Sequence, residues 1–242
     1  MRGTAAKVLE DDPFFQVPPG FQGLDVQRQI VVYRRNLPHW RQEHGTYFVT
    51  ARLADALPPS VLQKLRQERL EFVKLAGTAF HSLQWQAFVR QQTARILQEL
   101  DQGYGCCLLR DAAARYELAA SLLHQHGRSC DIGCFVLMPN HWHALIRPYA
   151  GVELEVLLGR IKGFSAWQIN RVLGAVGKLW GTESYDRLIR DGRHLANTMR
   201  YIVLNGQQAC LPADDYQVWV SSEWEQVGWT AEAVISWDVL PS

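Results

Sequence analysis

Phe135-Val136-Leu137-Met138-Pro139-Asn140-His141-Trp142-His143-Ala144-Leu145-Ile146 is the stretch on which the fold turns. Met138-Pro139-Asn140 is a turn signal: proline presets φ, and asparagine bonds its own backbone. Apolar residues run into it over Asp131–Leu137 and out of it over His141–Arg147. The spacing predicts two antiparallel strands joined by a tight loop. Side chains in a strand alternate faces, so His141 and His143 point the same way and Trp142 points to the opposite face. Two imidazoles ~6–7 Å apart along a strand can converge on one divalent ion. Histidines inside an apolar hairpin need polar partners, and a metal supplies one. Two hydrogen-bonded histidines satisfy the same demand.

Further along stands Tyr201-Ile202-Val203-Leu204-Asn205. Positions i and i+4 share one face of a helix, so Tyr201 and Asn205 look at the same point. An amide oxygen is a hard ligand suited to Mg²⁺ or Mn²⁺. A tyrosine beside such an ion can attack phosphorus while the ion stabilises the developing charge. A core tyrosine and a polar cap would leave the same spacing.

The elements around these segments indicate an α+β chain. Tyr47–Leu53 alternates and is rich in β-formers, so it reads as a strand. Pro58-Pro59-Ser60 opens one amphipathic helix, and a second runs from Trp85 to Leu100. Gly105–Leu109 reads as a short strand. Asp111–His126 reads as a helix stopped by Gly127, Val152–Leu173 as a long helix, and Glu183–Ile189 as a strand. Asp191 is a candidate N-cap for a helix reaching about Asn205. The expected architecture is a mainly antiparallel sheet with helices on one face. Residues 1–30 read as an irregular arm, with Asp11-Asp12-Pro13 and Pro18-Pro19-Gly20 as turn clusters.

The 242 residues carry a formal charge of +1, which by itself names no partner. The distribution is uneven: Arg147–Arg200 holds nine Lys/Arg against five acids, whereas Tyr201–Ser242 holds six acids and no Lys or Arg. A basic middle beside an acidic tail fits a local anionic ligand. The five cysteines include no CxxC pair, so reduced thiols are expected, and Cys130 with Cys134 lacks a second pair for a zinc site. No apolar run approaches the ~20 residues that span a bilayer. No GxxxxGK[ST] stretch is present, so no ATP site is expected. The expected location is cytoplasmic, with nucleoid association.

Four segments in order carry a family resemblance. Met138-Pro139-Asn140-His141-Trp142-His143 resembles the signature of the single-tyrosine, His-hydrophobic-His transposases, particularly the REP-associated tyrosine transposases. Arg34-Arg35-Asn36-Leu37-Pro38-His39-Trp40 with Tyr47–Leu53 is similar to that group's opening segment. Trp180 with Glu183–Asp191 resembles the segment ahead of its catalytic helix, and Tyr201-Ile202-x-x-Asn205 resembles that helix.

The resemblance implies a ferredoxin/RRM-like domain over 31–222, a helical insert over about 60–103, and an acidic tryptophan-containing tail over 223–242. By position it makes His141 and His143 metal ligands, Asn205 the third protein ligand and Tyr201 the nucleophile. It implies Mg²⁺ or Mn²⁺ as cofactor and hairpin-bearing single-stranded DNA as partner. The reaction would cut one strand through a 5′-phosphotyrosine, leave a free 3′-hydroxyl, and conserve the bond energy for rejoining. The enzyme would act as a monomer or homodimer. Lys162, Arg187 and Arg190 are candidate phosphate contacts. Tyr185 is the rival nucleophile, and Trp219 and Trp224 could stack on bases or pack in the core. One departure stands out: the family's Asn-Pro reads Asn205-Gly206 here, and Gly206 is expected to end the helix. A DNA-binding protein without cleavage, a hydrolase using activated water and a replication-initiator-like nickase share parts of this pattern.

Overall fold

The computed structural model describes residues 17–25, 27–29, 31–34, 38–76 and 83–237. Most of the expected arm, residues 35–37 of the opening segment and the last five residues of the tail lie outside them. Within the arm, Val17 onward runs along the body: Gln22 exchanges bonds with Thr46, and Leu24 N donates to Arg190 O at 3.0 Å.

A short antiparallel pair, β1 (Val31–Arg34) and β2 (Pro38–Arg41), precedes the main sheet. The sheet holds β3 (Tyr47–Leu53), β4 (Cys130–Leu137), β5 (His141–Pro148), β6 (Trp180–Leu188) and β7 (Gln217–Val220). Its spatial order is β6-β3-β5-β4-β7, and every pairing is antiparallel. The β4–β5 hairpin is the one read from the sequence, closed by Met138 N donating to His141 O at 2.9 Å. It puts β5 at the centre of the sheet, where register is best fixed.

The helices are α1 (Pro59–Ala76), α2 (Leu83–Leu100), α3 (Ala112–Gln125), α4 (Leu154–Leu173), α5 (Gly192–Gln208), α6 (Ser222–Glu225) and α7 (Ala231–Ser236). The α+β class and the antiparallel sheet agree with expectation, but the layering corrects it. Helices cover both faces. Val49, Ala51, Phe135, Leu137, Trp142 and Ala144 pack in one core with α3 and α4. Phe48, Val136 and Leu145 pack in a second core with α5 and the tail. The physical sign was in β4 itself: Cys134-Phe135-Val136-Leu137 is a continuous apolar run, which is what a strand buried on both faces needs.

Local capping explains the helix starts. Asp111 accepts from Ala113 N and Ala114 N at the head of α3, and Asp191 accepts from His194 N at 2.7 Å at the head of α5. Gly127 takes a positive φ of 73° just beyond α3. The expected strand over Gly105–Leu109 is instead a bend into a 3₁₀ turn, Leu108–Arg110. Gly105 and Cys107 sit at φ 88° and 49°, and a left-handed backbone cannot extend into a strand. Gly206 does not end α5, which runs on to Gln208. A Cβ on Gly206 would lie 2.4 Å from the Tyr216 ring, so glycine is there for close approach.

The α1–α2 hairpin is held together by the stacked Phe72 and Phe88 rings, 4.2 Å apart, and by Gln92 donating to Glu68 at 2.7 Å. Leu65, Ile96 and Leu100 join the first core, while Leu97 packs against the second. In the tail, Trp224 and Trp229 are buried and Trp219 stacks on Phe135, so all three serve packing. All five cysteines are free. Among the described residues no helix is long and apolar enough to cross a membrane.

Candidate active site

The β5 register carries both histidines to one face and puts Trp142, fully buried, into the opposite core. His141 and His143 are 1% and 0% exposed, and their Nε2 atoms face each other at 3.0 Å. Each ring is fixed from behind. His141 Nδ1 meets Asn140 Oδ1 at 2.7 Å, and His143 Nδ1 meets Thr50 Oγ1 at 2.7 Å. Thr50 is the residue paired with His143 across β3, so the sheet register itself supplies this partner.

These contacts constrain the protons. Asn140 Oδ1 can only accept, so His141 carries hydrogen on Nδ1 and a lone pair on Nε2. The threonine hydroxyl can act either way. If it donates, His143 carries hydrogen on Nε2 and gives it to His141. If it accepts, two lone pairs meet at 3.0 Å, an arrangement that a cation between them relieves. Burial pushes the His141 imidazole down to about 3, and burial with the neighbouring His141 pushes His143 well below its usual value. Both rings are thus neutral, the form that ligates metal.

The tyrosine helix covers this pair. From α5, Tyr201 brings its hydroxyl to 3.4 Å from His143 Nε2. Phe48 packs against both, stacked on His143 at 5.2 Å and edge-on to Tyr201 at 5.8 Å. Asn205, one turn on, is 2% exposed, and its Oδ1 is buried with no hydrogen-bond partner. Leaving such an atom unpaired costs ~1–3 kcal/mol. Burial pushes the Tyr201 phenol up, the field of Asp101 adds to this, and a contact from the Asn205 amide opposes both.

The donor set fits a divalent ion. It offers two neutral imidazoles and an orphaned amide oxygen. Adjacent ligands ~2.1 Å from an octahedral ion stand about 3 Å apart, which is the spacing of the two Nε2 atoms. Among the described residues no third His, Cys, Asp or Glu joins the pair, so the further protein donor would be the amide of Asn205.

The other candidates separate. Arg187 pairs with Phe48 across β3 and so projects on the face that carries the two histidines. Desolvation and the nearby Arg190 and Arg90 guanidiniums push its pKa down, which describes a cluster of cations. Lys162 lies on α4, against the opposite face, and donates to Gly181 O at 2.7 Å, so the structure does not bring it to the histidines. Tyr185 pairs with Thr50 on β6 beside Arg52, but the hydroxyl that meets His143 is that of Tyr201. Cys130 and Cys134 are buried with thiols raised by burial, and form no metal cluster with other described residues. Sequence reasoning missed Thr50, Asn140 and Phe48 as parts of the site. The pairing register could have found Thr50 and Phe48; Asn140 was visible only as a turn residue.

No protein-family model matches the chain, and no curated protein matches it. Among solved structures the chain is similar to that of a REP-associated tyrosine transposase bound to a REP hairpin. The two are 16% identical over 73% of this chain and 72% of that one, with a TM-score of 0.38.

Proposed function

We propose that this chain is a metal-dependent single-stranded DNA nicking and joining enzyme, a transposase of the single-tyrosine kind, with Tyr201 as nucleophile. The observation that carries the reading is the meeting of three groups distant in sequence. The Tyr201 hydroxyl stands 3.4 Å from His143 Nε2, which stands 3.0 Å from His141 Nε2. Structural histidines would not need a phenol from another element at that point, nor an orphaned amide oxygen on the same helix face.

His141, His143 and Asn205 would hold Mg²⁺ or Mn²⁺, which when bound supplies charge stabilisation at a phosphoryl oxygen. Asn140 and Thr50 orient the two imidazoles from behind, as outer partners of metal-ligating histidines do. Phe48 packs edge-on against the phenol and shields one side of it. Tyr201 attacks phosphorus and takes the 5′-phosphate, releasing a 3′-hydroxyl that can later reverse the step. Arg187 on the same face, with Arg190 near it, would position the DNA backbone. That phenol and imidazoles meet within one chain supports a site completed without a partner subunit.

The test is incubation with single-stranded hairpin oligonucleotides and Mg²⁺ or Mn²⁺, followed by denaturing electrophoresis. The expected result is a covalent protein–DNA adduct absent in Tyr201→Phe and absent with chelator. Cleavage that persists in Tyr201→Phe would indicate an activated-water hydrolase. Binding without cleavage would indicate a DNA-binding protein of this fold.

A further inference from the structure

Asn140 stands in the turn between β4 and β5, 1% exposed, with both polar atoms of its side chain committed. Its Nδ2 donates to Leu100 O and to Tyr104 O, both at 3.1 Å, and its Oδ1 faces His141 Nδ1 at 2.7 Å. The two carbonyls decide which way the amide points. Reversed, its oxygen would lie against two carbonyl oxygens, and those buried acceptors would lose their donor. Leu100 closes α2, so its carbonyl is one of the helix-end acceptors that lack an intrahelical donor. Tyr104 follows in the loop, which Gly105 turns at a φ of 88° and Asp55 holds by accepting from Cys106 N at 2.7 Å. The main chain of the turn is held as well: Leu109 N donates to Pro139 O at 3.0 Å, and Leu53 N donates to Asn140 O at 2.8 Å.

We infer that the α1–α2 hairpin and the loop leaving it set the tautomer and aim of His141, with Asn140 as the positioning residue between them. The inference rests on the proposed metal site and deepens it, since it says what makes one of the two imidazoles ready for an ion. Leu100 O and Tyr104 O hold the amide nitrogen, so the amide oxygen must face His141. That oxygen can only accept, so the neutral ring keeps its single hydrogen on Nδ1. Nε2 is left with a lone pair, aimed at the site where His143 Nε2 stands 3.0 Å away. No proton is gained or lost: the latch selects which of two nitrogens carries the one the ring already has. His143 is under no such constraint, because the Thr50 hydroxyl can donate or accept. The pair is therefore asymmetric. His141 is preset as a ligand, and His143 adapts when an ion arrives. Anchored by Leu65, Ile96 and Leu100 in the first core, the hairpin is a fixed support for the outer partner of a ligating histidine.

The experiment compares wild type, Asn140→Ala, Gly105→Ala and Leu65→Ala, with Mn²⁺ as the probe. Two quantities are read. One is the tautomer of His141 in the metal-free protein at neutral pH, from long-range ¹H–¹⁵N correlation spectra assigned with His141→Gln. The other is Mn²⁺ affinity by isothermal titration. Wild type should show the His141 hydrogen on Nδ1 alone. Asn140→Ala should show it shared with Nε2, and should bind Mn²⁺ roughly 10–100-fold more weakly, the usual effect of losing an outer partner. Gly105→Ala leaves Asn140 in place but puts a Cβ 2.7 Å from Asp55 O at a left-handed φ, so the neighbouring Tyr104 carbonyl must swing. It should move both readings the same way by a smaller factor, and it keeps the inference testable if Asn140→Ala does not fold. Leu65→Ala loosens the same core without touching the latch and should keep the wild-type tautomer and affinity. A wild type with the hydrogen on His141 Nε2, or an Asn140→Ala with the wild-type tautomer, overturns the inference. So does a Gly105→Ala identical to wild type in both readings, and so does a Leu65→Ala that shifts as Asn140→Ala does, which marks a merely structural role. A wild type that binds no Mn²⁺ overturns the metal reading instead, and the tautomer in the metal-free protein still decides the latch.

Discussion

His141 Nε2 and His143 Nε2 face each other at 3.0 Å inside a fully buried pocket, each ring pinned by a polar partner at its Nδ1. Pinned rings with converging nitrogens are a rigid claw, and the absence of a bridging proton in one tautomer makes a cation the natural relief. A divalent ion should therefore raise stability by mass action. With Mn²⁺ in excess, the melting temperature should rise by several degrees, and His143→Ala or His141→Ala should abolish the rise. Asn205→Ala should weaken Mn²⁺ affinity by roughly 10-fold or more while relieving a buried orphan atom. Isothermal titration with Mn²⁺ measures both; equal affinity in all variants would contradict the assignment.

Acid should destabilise the metal-free chain before it affects most carboxylates. His141 titrates at about 3 in the fold and His143 well below its usual value, both because burial disfavours the charged ring. His194, pushed down to about 4 first by burial and then by Arg187 and Arg190, adds the same sign. An unfolded imidazole binds its proton near ~6.5, so between that pH and the folded values the unfolded state holds more protons. Stability is then present above about 6.5 and is lost as pH falls, by up to about 1.4 kcal/mol per pH unit for each such histidine. Urea midpoints at pH 7, 6, 5 and 4 should fall steadily, and His194→Gln should flatten part of the slope.

Gly206→Ala should destabilise by about 1–3 kcal/mol, the usual cost of overpacking. The new methyl would meet the Tyr216 ring at 2.4 Å, on the helix that carries Tyr201. Chemical denaturation checks the size, and the variant should also lose adduct formation more than DNA binding, because any shift of α5 moves the phenol off the histidine pair.

Arg187→Gln should weaken binding to single-stranded oligonucleotides at low salt and lower the slope of log affinity against log salt by about 0.7. The same change at Lys162, whose ammonium is bonded to the β6 backbone on the opposite face, should leave that slope unaltered. Affinity titrations at several salt concentrations separate the two.

The parts of this molecule that were legible in the sequence are those where a local rule and the tertiary demand agree. Met138-Pro139-Asn140 between two apolar runs could only be a turn, and once β5 is a strand the histidine pair follows from alternation. Asp191 announced the start of α5, which fixes the face shared by Tyr201 and Asn205. The layering was less legible, because a helix signal does not say which face of a sheet it covers; only the unbroken apolar run of β4 hinted at two. Strand β7 is four residues long and half-buried, too short for its alternation to stand out. Gly206 has the chemistry of a helix stop, yet the Tyr216 ring used its lack of a Cβ instead.

Tandem mass spectrometry of the protein–DNA adduct, after nuclease trimming and proteolysis, tests the central claim most directly. A phosphonucleotide mass on the peptide containing Tyr201, dependent on Mg²⁺ or Mn²⁺ and lost in His143→Ala, is the expected result. The modification on Tyr185 or any other residue, or an adduct that forms unchanged without either histidine, would contradict it.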